Sequence, residues 1–443
     1  MAFGILEPTS NSSPSGTSNI QDNFEDDVSE AHVIRVPQPS QSALDPLNWS
    51  KIRKELLFAT ILLGSSVTGS IGPVLVPGFT VVAQDLGVDV SRMTLLNGLL
   101  VMTLGVITSV NLTPVISGYV ISDLSWRWSF WLEAIMFGIV LLATFFFFPE
   151  TTFDRAGPLP LQLENASLDD KAIQVSMVSE TLTETSGLRC RSVLGVEAVK
   201  LPGLKSFLAS IFVPFALLPH PIVIYGSLMW AVTFTWTILL GAVVSQIFTP
   251  TPYNMDTIAV GNISGIAPFI GSALGTMMAG WFCDFSATNL AKHNNGTYEP
   301  EFRLLVIFPA AIAMAIGSFG LGAAIHNGIS AIVCGVFMAI INFAVGLGCT
   351  GIVSYTNDAC GEKASDAFGI AMFIKSAFAF GLSFIFNDYY TRSGPLVFFS
   401  TFGAVTVGVM LTTIPLYVFG KRIRAWADNH DLLRRKSRDL YPQ

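Results

Sequence analysis

The sequence predicts an all-α membrane protein, a bundle of apolar helices crossing a bilayer, and three observations carry that prediction. Only 12% of the 443 residues are charged and 51% are apolar, whereas an ordinary soluble domain carries about 25% charged residues. Mean hydropathy is +0.58. The apolar residues also fall into long runs, and a helix needs ~20 of them in succession to cross the hydrocarbon. The 34 phenylalanines and 38 glycines fit the same class, since aromatics suit lipid-facing surface and glycine lets helices approach closely.

Residues 1–50 are rich in serine, proline and acid, with no basic segment leading into an apolar core. That composition predicts a disordered cytosolic tail rather than a cleaved signal peptide. Residues 51–148 hold three apolar runs: 56–82, 95–122 and 128–148. A polar central loop is expected over 149–202, preceded and followed by membrane segments. Within residues 203–420, an interfacial lead-in over 203–218 precedes six runs: 221–248, 257–285, 304–325, 328–355, 368–386 and 395–419. Residues 421–443 read as a basic cytosolic tail.

Lysine and arginine in short loops are retained on the cytoplasmic side. Lys292, Arg303, Lys363 and seven basic residues after 420 place the central loop and the C-terminus inside, against a single Arg392 outside. Lys51, Arg53 and Lys54 place the start of the first run inside as well. An even number of crossings must therefore lie before residue 149, yet three runs are present. The middle one, "LLNGLLVMTLGVITSVNLTPVISGYVIS", makes a helix of ~43 Å, too long for one span and too short for two. A broken re-entrant hairpin satisfies both length and parity.

No Ser-His-Asp, HExxH or P-loop arrangement is present, so no enzyme is expected. Cys190, Cys283, Cys334, Cys349 and Cys360 are scattered without a CxxC pair, which reads as buried small hydrophobes rather than a metal site. No basic stripe points to nucleic acid. Polar groups inside spans are costly and mark candidate sites. Lys375, about ten residues from the nearest polar loop, is the best of these, read as facing a cavity. Glu133 is the one acid inside an early run, close to Trp126, Arg127 and Trp128 at the outer interface, where a structural pair or a hydrated rim position rivals proton carriage. Asn262 and Asn342 either bond a neighbouring helix or face substrate. Trp230 and Phe234, with Trp236, could stack on a planar compound, although lipid-facing packing is the commoner role for such residues. Asp358 and Glu362 read as salt-bridge residues of a gate.

"GSALGTMMAGWFCDF" sets Gly271, Gly275 and Gly280 along a helix that ends at Asp284, followed by a loop containing Arg303. The glycines alone predict close helix packing. Together with "DPLNWS", "WRWSFWLEAI" and "NNGTYEPEFRL", this text resembles the fungal twelve-span drug:proton antiporter branch of the major facilitator superfamily. The resemblance implies a bundle of that type with an intact C-terminal six-helix half and a truncated N-terminal half. It assigns Gly271, Gly275, Gly280, Asp284, Arg303, Asp358 and Glu362 to a conformational latch, and Pro114 and Gly118 to the remnant of an antiporter motif. An internal deletion joined near residues 105–110 would account for the awkward middle run.

The resemblance further implies export of a small organic compound by alternating access, driven by the proton gradient with no cofactor, by a monomer in the plasma membrane. Uptake of organic cations or polyamines is the first rival. A non-transporting remnant, or a gene model lacking an exon, is the second.

Overall fold

The structure, a computed structural model, describes residues 3–8, 14–19, 45–70, 74, 77, 79–86, 113–148 and 214–430. The expected central loop, the join near 105–110 and most of the lead-in lie outside these residues, as does all but the last part of the re-entrant hairpin. The described chain is helical apart from one two-stranded pairing.

Before the central loop come α1 (Lys51–Ser70), α2 (Phe79–Leu86), α3 (Thr113–Asp123) and α4 (Trp126–Phe147). The Ser50 hydroxyl accepts the amide of Arg53 at 3.4 Å, capping α1, and the Arg53 guanidinium lies 4.1 Å over the Trp49 ring. The run 56–82 is thus shared between two helices rather than forming one. Pro73 and Pro77 fall in the interval, and proline removes a helix donor and clashes with the preceding turn.

After the loop come α5 (Pro221–Phe248), α6 (Thr257–His293), α7 (Ile307–His326), α8 (Ala331–Cys360), α9 (Ala364–Leu411) and α10 (Thr413–Asn429). A 3-10 turn, Pro300–Val306, leads into α7. Among the described residues, six helical segments are long and apolar enough to cross a membrane: Trp126–Phe147, Pro221–Phe248, Thr257–His293, Pro300–His326, Ala331–Cys360 and Ala364–Asn429. The last spans 66 residues and holds a break at Gly394, whose φ of 74° and ψ of 169° are not helical. Glycine alone takes such a backbone without a Cβ penalty. The two limbs fold back on each other, with Phe386 5.2 Å from Phe402 and the Tyr389 and Thr401 hydroxyls 3.0 Å apart. After the central loop the described helices thus supply six limbs long and apolar enough to cross, in line with the apolar runs.

The chain groups into two compact units, one of Met1–His32, Gly64–Gly138 and Ala209–Gln443, the other of Val33–Leu63 and Ile139–Leu208. In the first, α5 is the most enclosed helix, with Ile222, Met229, Leu239, Val243 and Phe248 fully buried. Helix α6 is closed against α8 along Gly271 and Gly275, where a Cβ would collide with the carbonyls of Ala339 and Phe343. The second unit's described residues are the beginning of α1, with Trp49 and Thr60 buried, and the end of α4.

Helix α6 runs eight residues beyond the apolar run that predicts it, to His293. Its last turns bury Ser286, Ala287 and Ala291, so the polar text after Phe285 continues the helix on one face. Asn295 and Gly296, with φ of 52° and 76°, end it.

Residues expected in a disordered N-terminal tail are in part packed. Ile5 is fully buried with Ala291 and Phe302, and β1 (Ser18–Asn19) pairs antiparallel with β2 (Thr297–Tyr298). Their few apolar and hydrogen-bonding groups act through tertiary partners that composition does not encode. Likewise residues 421–429, expected in the basic tail, are the end of α10.

Candidate functional site

Three of the residues expected in a latch, Asp284, Arg303 and Asp358, meet at the charged end of the first unit. Arg303, on the 3-10 turn, places Nε 2.7 Å from Asp358 Oδ2 at the end of α8 and Nη1 3.6 Å from Asp284 Oδ1 near the end of α6. Arg303 Nε also donates to the Tyr298 hydroxyl at 2.8 Å, and that hydroxyl donates to Asp358. Burial, reinforced by the Asp358 carboxylate, holds the Tyr298 phenol well above its ordinary pKa. It therefore stays protonated and remains a donor. The Asp284 side chain is 78% exposed, so its attraction to Arg303 is weak. Gly280 has no atom within 4 Å of a hypothetical Cβ, so, unlike Gly271 and Gly275, it plays no part in a close helix contact. The side chain of Glu362 lies outside the described residues.

Beneath the latch is a buried ion cluster that sequence reasoning missed. Arg424 of α10 donates from Nε to Glu301 Oε1 at 2.9 Å and from Nη2 to Glu301 Oε2 at 2.7 Å, and Nη2 reaches Glu299 Oε2 at 2.8 Å. Lys421 pairs with the other Glu299 oxygen at 2.6 Å. The Arg424, Glu299 and Glu301 side chains have no exposure. A buried charge is tolerated only with such partners. The signal that could have found the cluster was the Glu-Pro-Glu of "TYEPEFR", two acids one residue apart beside an apolar span.

In the apolar part of the bundle, Lys375 of α9 is 1% exposed and its Nζ lies 4.4 Å from the centroid of the Phe234 ring. A cation over a desolvated ring is attracted by its quadrupole. Among the described residues no carboxylate lies within ion-pair distance of Lys375. Phe234 touches Trp230, which meets Phe368 edge-on at 6.0 Å. Trp230 and Phe234 are buried, which corrects the lipid-facing reading of this stripe. Trp236 donates to the Thr406 hydroxyl at 2.9 Å and stacks on Phe399, a packing role. Asn342 donates to the Met338 carbonyl at 3.0 Å and leaves its own oxygen, Oδ1, buried without a partner.

Glu133 of α4 is half-buried near Ser70, with Oε2 enclosed and without a hydrogen-bond partner. The rival pairing with Arg127 is not formed: Arg127 lies 4.0 Å from Asp85, which also accepts the Trp126 indole N–H at 2.8 Å. Asn262 reaches the Tyr119 hydroxyl at 3.4 Å, a bond between α6 and α3. Pro114 and Gly118 sit in the same contact: a Cβ on Gly261 would lie 2.6 Å from the Pro114 carbonyl oxygen, and one on Gly118 3.2 Å from the Thr257 oxygen. Cys283, Cys334 and Cys360 are buried free thiols, and no cluster of metal-ligating side chains is present among the described residues.

A family model described as Major Facilitator Superfamily matches residues 56–383. An uncharacterized MFS-type transporter of Schizosaccharomyces pombe is 26% identical over 71% of this chain and 60% of its own length. The MFS transporter cpaT of Aspergillus oryzae is 27% identical over 69% of this chain and 58% of its own. A probable efflux pump, mfs2, of Aspergillus flavus is 22% identical over 70% of this chain and 69% of its own. The chain thus spans about 60% of the length of the first two relatives. With the family match running across both the helices before the central loop and most of those after it, this multi-pass membrane chain belongs to the Major Facilitator Superfamily.

Proposed function

We propose that the chain moves a small organic compound across a bilayer by alternating access, in the direction of proton-coupled efflux. The observation that carries this reading is Lys375, an enclosed amine on the Phe234 ring with Trp230 beside it and no carboxylate of the described chain in reach. A lysine buried without a partner is costly in an apolar interior, so its presence is best explained by a ligand it serves. Two relatives, one named a transporter and one a probable efflux pump, agree with the reading.

In this proposal Lys375, Trp230, Phe234 and Asn342 contact the compound. Glu133, with one enclosed oxygen lacking a donor, carries the proton. Asp284, Arg303 and Asp358 latch the end that faces the cytoplasm, the orientation favoured by Lys292, Arg303 and Lys363. The protein works as a monomer in the plasma membrane, drawing on the proton gradient without a cofactor. The early half is shortened by an internal deletion near residues 105–110, with Pro114 and Gly118 kept because they close α3 onto α6. Sequencing the transcript across that join tests the deletion; three additional encoded spans would remove it.

The functional test is efflux of a panel of fluorescent organic compounds from cells expressing the chain. Flux that falls on collapse of the proton gradient and is lost in Lys375→Ala, at unchanged surface expression, supports the proposal. Equal flux in Lys375→Ala and the parent chain overturns the site, and flux directed inward overturns the direction.

A further inference from the structure

The described parts of the N-terminal segment, residues 3–8 and 14–19, lie across the charged end of the first unit and touch the latch itself. The segment has one apolar anchor: Ile5 is fully buried against Ala291 and Phe302, and Phe3 meets the Phe302 ring edge-on at 6.4 Å. Main-chain bonds extend it along α10, with the Leu6 amide donating to the Val418 carbonyl at 3.0 Å and Arg422 Nε donating to the Glu7 carbonyl at 2.9 Å. Lys421 pairs with the Glu7 carboxylate at 2.7 Å.

Further along, the Ser15 amide donates to Asp428 Oδ2 at 2.8 Å, and Arg424 Nη1 donates to the Thr17 hydroxyl at 3.1 Å. That hydroxyl in turn donates to Glu299 Oε2 at 2.8 Å. Gly16 turns the chain with φ of +84°, and a Cβ there would lie 2.5 Å from the Asp358 carbonyl oxygen and 2.9 Å from Pro300 Cγ. Ser18 and Asn19 then pair with Tyr298 and Thr297.

Two of the residues it reaches, Tyr298 and Asp358, are latch residues. A third and fourth, Glu299 and Arg424, belong to the buried ion cluster under the latch. The segment therefore ties the Thr297–Val306 stretch, the end of α8 and the end of α10 to one another. Its apolar hold is light, a single fully buried aliphatic side chain, and the rest is a two-residue ladder and polar bonds to Lys421, Arg424, Asp428 and Glu299. Segments held by few apolar contacts open at low free energy while the helices beneath stay folded. Thr17 is its most sensitive point, because a negative charge on that side chain would face the enclosed Glu299 carboxylate.

We propose that the described N-terminal stretches, residues 3–8 and 14–19, form a releasable strap that restrains the latch, so that detaching the strap frees Tyr298, Arg303 and Asp358 to rearrange. Strand addition to a short exposed edge, with side chains seated on either side, is an established mode of peptide docking. Here the peptide is the chain's own N-terminal segment. The inference is independent of what the protein moves.

The test is hydrogen exchange on the full chain in lipid nanodiscs, comparing the parent with Gly16→Ala and Thr17→Glu. Gly16→Ala blocks seating against the Asp358 backbone and leaves the ion cluster's own side chains in place, whereas Thr17→Glu also sets a carboxylate against Glu299. Exchange over residues 297–306 and 355–360 should rise about tenfold, the mark of a local opening, while residues 310–321 of α7 keep their protection. A synthetic peptide of residues 1–19 added to the Gly16→Ala chain should restore the protection. Two results would overturn the proposal: a latch whose exchange is unchanged when the strap is displaced, or a loss of protection that extends through α7. The first would make the strap a passenger, the second a part of the folding core.

Discussion

Arg303 Nε and Asp358 Oδ2 stand 2.7 Å apart, joining the turn before α7 to the end of α8. Each side chain is about a quarter exposed, at 24% and 28%. Water screens the pair in part, and its contribution is about 1 kcal/mol. Asp358→Asn should lower the melting temperature of the purified protein slightly and leave the Tyr298 hydroxyl with a weaker acceptor. Measured by thermal shift, the exchanged pair Arg303→Asp with Asp358→Arg should recover part of that loss.

Arg424 gives a larger effect. Arg424→Met leaves Glu299 and Glu301 enclosed without their guanidinium, and removing one partner of a buried pair costs about 3–5 kcal/mol. The expected outcome is poor yield of folded protein in detergent, read by size exclusion. Replacing Arg424, Glu299 and Glu301 together with apolar residues should recover more folded protein than Arg424→Met alone.

The glycines of α6 separate cleanly. Gly275→Val drives a branched side chain into the Phe343 carbonyl, and overpacking of this kind costs about 1–3 kcal/mol. Gly280→Ala meets no atom within 4 Å, so it should be neutral or slightly stabilising through helix propensity. Thermal unfolding of the two variants side by side checks the contrast.

A pH dependence follows from His220, which precedes α5, is buried, and has Nδ1 without a partner. Burial lowers its pKa below the ordinary 6.5, and the Asp428 carboxylate opposes that shift only in part. The unfolded chain then binds the proton more readily than the folded one. Stability is complete above about pH 6.5 and declines as pH falls below it. Melting temperature recorded from pH 7.5 to 5.5 should fall less in His220→Asn than in the parent chain.

Much of the bundle was legible because a membrane span writes itself in one dimension: length, hydropathy and flanking charge suffice. The runs at 221–248 and 257–285 begin at the first residues of α5 and α6 for that reason. Gly271 and Gly275 announced the α6 contact because only glycine permits that backbone approach. The meeting of Asp284, Arg303 and Asp358 was readable, because the family resemblance groups those residues. Tyr298 was not, since nothing in "NGTYEPEFR" marks its hydroxyl as the bridge between an arginine and a carboxylate. The N-terminal segment was illegible for the opposite reason. Its composition is that of disorder, and its order comes from Arg424, Lys421 and Thr297, roughly 280 residues or more further along the chain.

Gly394 bears on how the protein reaches its bilayer. Two crossings are joined there by one non-helical residue, and Phe386 and Phe402 close the pair within sixteen residues of each other. The eight residues between the two apolar runs, 387–394, stay helical until the glycine, so no loop lets the limbs part. Such a hairpin enters lipid as one object, with the charges of Asp388 and Arg392 carried at its turn.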